Sequence, residues 1–336
     1  MTSASLSHHP TVLGSPDTMV WIEGGSFRMG SENFYPEEGP VHRVRVDGFW
    51  IDPAPVTNHE FARFVTETGY ITVAELPPDP ALYPGADPAM LRPGSLVFRA
   101  PKRREDMRFW GDWWHYVPGA YWRRPDGISD LSDELMDHPV VHVAHADAVA
   151  YARWADKSLP TEAEWEFAAR GGLDGADYGW GDEFEPDGRK MANVWDGAFP
   201  MQSTGAGAFG TSAVCSYPPN AFGVFDMIGN VWEWTDDYWM DRHTDDAAKP
   251  CCVPVNPRIS DAAQSFDRQQ AAIRIPRKVL KGGSHLCAPT YCRRYRPAAR
   301  HPEMIDSATT HVGFRCVVRS KPGDGSFAGA VEGIDG

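Results

Sequence analysis

KGGSHLCAPTYCRRYRPAAR, residues 281–300, holds Cys287 and Cys292 with four residues between them, in the most basic part of an acidic chain. Arg277, Lys278, Lys281, Arg293, Arg294, Arg296 and Arg300 crowd this part, no Asp or Glu lies among them, and the chain as a whole carries a net charge of −14. Positive charge favours thiolate over thiol, so both cysteines are expected to ionise below the ordinary thiol range. The same arginines also read as a solvated or ion-paired surface, or as a field facing an acidic or cysteine-bearing partner. The pair itself admits half of a zinc site, a disulfide or coincidence. A structural zinc needs four Cys or His ligands in spaced pairs. His285 is near, but Cys251 and Cys252 are adjacent and would diverge. What is left is a soft two-thiolate site of low coordination number, a donor set that selects Cu(I).

The totals describe an ordinary folded chain of 336 residues, 42% hydrophobic and 23% charged. Thirteen Trp, 16 Phe and 11 Tyr argue against disorder. The 32 Gly and 29 Pro exceed their usual combined share of about 12% and point to turns and irregular backbone filled by aromatics. The acidic balance disfavours nucleic-acid or anionic-lipid partners. No apolar run approaches the roughly 18 residues that span a bilayer. MTSASLSHHPTVLGSPDTM lacks the basic and apolar regions of a secretory signal. The expectation is a cytoplasmic, reducing setting, with residues 1–18 and 321–336 as tails around one domain over 19–320.

MVWIEGGSFRMGS (19–31) reads as strand and turn, and VHRVRVDGFWID (41–52) as a half-buried strand through Val41, Val44 and Val46. Thr57 and Glu60 form a capping box ahead of Phe61, Phe64 and Val65, the stripe of a short helix. A second helix is expected over 145–157, with Val149, Ala152 and Trp154 on or near its inner face. A third lies in LPTEAEWEFAARGG (159–172), with Thr161 as N-cap, Glu164 completing the box, Trp165 and Ala168 inward, and Gly171 or Gly172 ending it. Residues 76–101 read as a Pro-rich surface loop, and FWGDWWHYVPGAYW (109–122) as an aromatic segment packed across the body. Beyond 173 only short strands such as KVLKGGS and GFRCVV are visible, and there is no internal repeat.

MVWIEGGSFRMGS, LPTEAEWEFAARGG, IGNVWEWT, KGGSHLC…YCRRYRPAAR and GFRCVV together resemble the formylglycine-generating enzymes, in order over about residues 19–320. The resemblance implies an α/β (α+β) fold of low regular secondary structure, related to C-type lectins. It also implies a copper-dependent oxidase that uses O2 to convert the cysteine of Cys-X-Pro-X-Arg in an unfolded sulfatase to Cα-formylglycine. Cys287 and Cys292 match that family's Cu(I) ligands; Ser284 and Trp234 match residues bordering its oxygen pocket. Tyr291 and Arg300 match groove positions, Arg300 also reading as a structural ion-pair partner. A monomer is expected. The wider superfamily leaves two alternatives: an iron-dependent sulfoxide synthase or related oxidase, which would need a partner domain, and a non-catalytic lectin-like binding module.

The resemblance also implies calcium. One set is Ile228, Gly229, Asn230, Val231 and Glu233, where Glu233 reads alternatively as a buried acceptor. A second would use Asn193, Val194, Gly207 and Phe209, but Gly207 stands near an expected Asp. Secreted relatives pair cysteines where this chain has Ala152, Ala169 and Pro297, which leaves Cys316 without a partner. Ala288 replaces a polar residue of some members, so peptide selectivity is expected to differ. His138, His142 and His145 have metal-like spacing but read as scaffold.

Overall fold

The computed structural model describes residues 18–101, 113–201, 210–243 and 253–319. Two small sheets and two hairpins are joined by long irregular segments, so little of the chain is regular. Strand β1 (Val20–Ile22) pairs antiparallel with β4 (Phe49–Ile51), whose other edge receives β11 (Val317–Val318), so both ends of the described chain meet in one sheet. Strands β2 (Gly25–Met29) and β3 (His42–Val46) form a hairpin. Its inward residues are Phe27, Met29, Val44 and Val46, with Arg43 and Arg45 outward. Val41 precedes the strand and is only half-buried; His42 takes the inward place expected for it.

Helix α1 (Asn58–Thr68) starts at the Thr57–Glu60 capping box and stops at Gly69, whose φ of 67° suits a residue without Cβ. Helix α2 (His145–Trp154) is shorter than the sequence suggests. Lys157 leaves it to meet Asp52 at 2.6 Å in the interior. Its buried face is Ala148, Tyr151 and Ala152, while Val149 and Trp154 are half-buried. Helix α3 (Glu162–Arg170) follows the expected box at Thr161 and Glu164 and ends at Gly171. Every residue of α3 is buried, three glutamates included. It lies between the β2–β3 hairpin and strands β7 (Trp232–Tyr238) and β8 (Arg277–Lys281).

The four-stranded sheet runs β10 (Val312–Gly313), β7, β8, β9 (Arg300–Met304), with β10 parallel to β7 and the other pairs antiparallel. Strand β7, WEWTDDY, departs from any strand pattern because Glu233 and Asp237 are buried, Asp236 is half-buried, and each is satisfied. Glu233 pairs with Arg315, Asp236 with Lys278, and Asp237 accepts from the backbone of Glu162 and Ile259. The supposed surface loop 76–101 also holds a strand, β5 (Gly94–Phe98), paired with β6 (Trp114–Pro118) from the aromatic segment. Gly94 is required there, since a Cβ would fall 2.5 Å from the Val117 carbonyl. Residues 109–112 and most of both expected tails lie outside the described residues. No helix among the described residues is long and apolar enough to cross a membrane.

Candidate functional site: a thiol pair beside strand β8

Strand β8 ends at Lys281, and the chain then turns through Gly282 and Gly283 at φ 93° and 73°. A Cβ on either would stand 2.8 Å from a backbone oxygen, of Met227 or of Arg294, so both positions demand glycine. Ser284 is wholly buried; its Oγ accepts from the Leu286 N–H at 3.2 Å, and its carbonyl accepts from the Cys287 N–H at 2.9 Å. The Ala288 carbonyl then accepts from the N–H groups of Tyr291 and Cys292, folding the segment back on itself. That turn sets the two sulfurs 3.4 Å apart. A disulfide needs about 2.05 Å, so these are free thiols in contact. Cys287 is 2% exposed and packs in the main core cluster; Cys292 is half-buried at its edge.

The basic segment does not act on the thiols as a uniform positive field. Lys281 meets Glu166 at 2.9 Å and Glu162 at 3.7 Å. Arg300 is bidentate on Glu162, Arg296 bidentate on Glu38, and Lys278 meets Asp236. Arg294 alone among these cations contacts a thiol, with Nη1 4.0 Å from Cys292 Sγ. The hydrogen bond shared with Cys287 pulls the Cys292 thiol down to about 6 against burial, helped by the Arg294 N–H and guanidinium. The same hydrogen bond, with burial, pushes Cys287 up. The expectation that both thiols ionise early is therefore corrected: the two are pushed in opposite directions, because two adjacent buried negative charges repel.

Trp234 is fully buried, donates its Nε1–H to the Val143 carbonyl at 3.0 Å, and packs edge-on against His145. Tyr291 is 58% exposed and lies flat on Phe199, ring centroids 4.2 Å apart. Phe199 in turn packs on Trp195 and Phe98, while Leu286, Ala288 and Trp195 form the apolar floor beside the pair. Trp195 and Phe199 escaped the sequence reading; the only signal was the aromatic spacing in NVWDGAFP. Arg300 is corrected as a groove residue. It is wholly buried, clamped on Glu162, donating to the Glu37 and Met240 carbonyls and stacked over Trp239.

Of the calcium residues, Asn230 and Asn193 are brought together, but the polar side chains of both sets are already engaged. Asn230 Oδ1 accepts from Asn193 Nδ2 and the Ser212 N–H, and its backbone carbonyl accepts from His285. Glu233 accepts from Arg315 on both oxygens and from Trp165 Nε1. An ion coordinated by Glu233 would have to displace Arg315, so the first set does not fit calcium in this arrangement. Ile228, Gly229 and Val231 have no side-chain oxygen to offer. In the second set Asn193 spends its amide on the Gly210 carbonyl and Asn230, and Val194 packs on the core. Gly207 and Phe209 lie outside the described residues.

His138 and His142 bond Thr211 and Ser95, and His145 faces Trp234. Among the described residues no three His, Cys, Asp or Glu side chains converge on one point. Cys316 is buried and free, Cys215 exposed and free, and Cys251 and Cys252 lie outside the described residues.

A lectin-like scaffold of few helices carrying an aromatic-flanked thiol pair matches one family model. The "Sulfatase-modifying factor enzyme 1-like domain" covers residues 4–320, and the chain belongs to this family. Within it, the chain is 55% identical over 302 residues to the formylglycine-generating enzyme of Mycobacterium tuberculosis, 89% of this chain and 97% of that one. It is 44% identical to the formylglycine-generating enzyme of Thermomonospora curvata, over 89% and 92% of the two chains. The resemblance seen in the motifs is thereby borne out, as is the mixed α/β fold class. PvdO from Pseudomonas aeruginosa shares the fold at a TM-score of 0.57, with 22% identity over 89% of this chain and 93% of that one.

Proposed function

We propose that this chain converts the cysteine of a Cys-X-Pro-X-Arg motif in an unfolded sulfatase to Cα-formylglycine, using O2 and Cu(I) held by Cys287 and Cys292. The observation that carries this reading is the 3.4 Å contact between the two sulfurs at the edge of an aromatic surface, in a chain 55% identical to a formylglycine-generating enzyme. Two soft donors that already share a proton suit a soft monovalent ion, which replaces that proton without adding a third ligand. When bound, such an ion supplies redox chemistry toward dioxygen that no amino-acid side chain offers.

The chain's own residues do the rest. Cys287, anchored by the Ser284 and Trp195 backbones, is the fixed donor. Cys292, half-buried and with its thiol drawn down by Cys287, is the donor nearer the surface. Ser284 holds the turn, and Trp234 walls the interior behind Cys287 within the same core cluster. Tyr291 on Phe199 presents an apolar aromatic face suited to a proline-containing peptide. Calcium enters no part of this reading.

The test is mass spectrometry of a Cys-X-Pro-X-Arg peptide incubated with reduced enzyme, Cu(I) and air. The expected product has the mass of formylglycine and couples to a hydrazine. An unchanged peptide under these conditions overturns the reading, as does equal conversion by a Cys287→Ala, Cys292→Ala double variant.

A further inference from the structure

The segment Phe34–Glu38 grips the thiol-bearing turn from more than 250 residues away. Arg296 stacks over Phe34 and is bidentate on Glu38. Tyr35 Oη accepts from the Arg293 N–H at 3.0 Å, and the Arg294 guanidinium lies 3.9 Å over the Tyr35 ring. Glu37 Oε1 accepts from Arg294 Nη2 at 2.6 Å. The guanidinium is thus held by the Tyr35 ring and Glu37, with Nη1 left toward Cys292 Sγ and a buried Nε that has no acceptor. Glu37 engages one of its nitrogens and does not saturate it.

We propose that Arg294, positioned by Glu37 and Tyr35, is the cation that balances the charge of the loaded thiol site and so sets its affinity for a soft monovalent metal. The inference rests on the copper reading. Two thiolates and one monovalent ion leave a single net negative charge in a largely buried place, and such a charge is costly unless paired. The neighbouring cations Lys281, Arg296 and Arg300 are committed to Glu166, Glu38 and Glu162. Arg294 is the one with a donor left over. Its planar fork bridges a carboxylate and a sulfur at once, which an ammonium does with less geometric fidelity. Arg294 does not hold the metal; it acts through Cys292 as a positioning residue.

The experiment compares wild type, Arg294→Gln, Arg294→Lys and Glu37→Gln as reduced, metal-free full-length chains. Cu(I) affinity is read by competition with a chromophoric chelator without oxygen, and iodoacetamide labelling of Cys292 is followed at fixed pH. Arg294→Gln is expected to weaken Cu(I) binding and slow labelling by roughly tenfold to a hundredfold, the range of a hydrogen bond to a charged group. Arg294→Lys recovers part of both, because it restores the charge without the fork that reaches Glu37 and Cys292 together. Glu37→Gln falls between, since the guanidinium is kept but loosened. Wild-type affinity and labelling in Arg294→Gln overturn the proposal, and so does a Lys variant no better than Gln. If wild type takes up no Cu(I), the copper reading fails and the affinity role falls with it. The labelling arm then shows separately whether Arg294 stabilises the Cys292 thiolate. An unchanged melting temperature separates these effects from misfolding.

Discussion

The Lys281 ammonium stands 2.9 Å from the Glu166 carboxylate, and neither side chain reaches solvent. Glu166 also takes Arg170 at 2.7 Å and the Gly30 N–H at 2.8 Å. One residue of α3 thereby ties the end of β8, the helix's own C-terminus and the β2 turn, and so fixes where the thiol-bearing segment begins. Lys281 is the residue immediately before the two glycines that launch that segment.

Removing Glu166 takes the near carboxylate from two buried cations, leaving Lys281 with Glu162 at 3.7 Å and Arg170 with backbone carbonyls alone. Glu166→Ala is expected to cost about 3–5 kcal/mol in denaturant unfolding. Burial alone would raise the Glu166 carboxyl, but Lys281 and Arg170 outweigh it and hold it at about 2, below the ordinary 4.5. A depressed carboxyl contributes stability in full above 4.5 and loses it as the pH falls toward 2. Wild type should therefore lose stability steeply below pH 4.5, and Glu166→Gln should show a shallower acid limb. Parallel acid limbs for the two proteins would refute the pairing.

How much of this could be read from the chain alone follows from where the partners lie. Helices α1 and α3 were legible because Thr57 with Glu60, and Thr161 with Glu164, satisfy each other locally, and Gly69 and Gly171 end them. The cysteine pair was legible because its turn is closed within nine residues by backbone bonds from Ser284 to Cys292. The electrostatics were not. Residues 281–300 hold no acid, yet Glu37, Glu38, Glu162 and Glu166 arrive from distant parts of the chain to neutralise them. Strand β7 was hidden for the same reason: three acids in seven residues fit no strand pattern until Arg315 and Lys278 are placed beside them. Strand β5 was hidden by brevity, since Ser95–Val97 is too short an alternation after a Pro-rich run.

The shared proton between Cys287 and Cys292 gives the metal-free protein a labelling signature. With the Cys292 thiol lowered to about 6, alkylation of Cys292 should rise through a midpoint near that pH and fall below it. Cys287→Ala removes the donor, so the midpoint should move upward. It should cost about 1 kcal/mol in stability for the small volume lost, and peptide oxidation should vanish. A midpoint that ignores Cys287, measured by mass spectrometry of labelled peptides, would mean the sulfurs are not in contact.

Glu233 decides between an ion pair and a calcium ion. Its carboxylate accepts from Arg315 at 2.7 Å on each oxygen, and both side chains are buried. Glu233→Ala should lower stability by about 3–5 kcal/mol, because Arg315 is left buried and unpaired. The loss should be the same with calcium and with a chelator. A wild-type melting temperature that rises with calcium, and a variant that does not respond, would instead put the ion at Glu233 and displace Arg315.

The Tyr291–Phe199 pair is exposed on one face and sits next to Cys292 in sequence. A large aromatic left 58% open has little to do with holding the fold. Tyr291→Ala should therefore leave the melting temperature and Cu(I) affinity near wild type. The loss should appear in peptide binding, as a KM increase of about fivefold to tenfold for the roughly 1 kcal/mol that an aromatic contact contributes. Phe199→Ala should cost more, since that ring also supports Trp195 and Phe98, and it should lower stability as well. Tyr291→Phe should restore the wild-type KM if the ring face is what binds. If KM stays constant across all three variants, the peptide docks elsewhere, and the aromatic pair serves only to roof the apolar floor of Leu286 and Ala288.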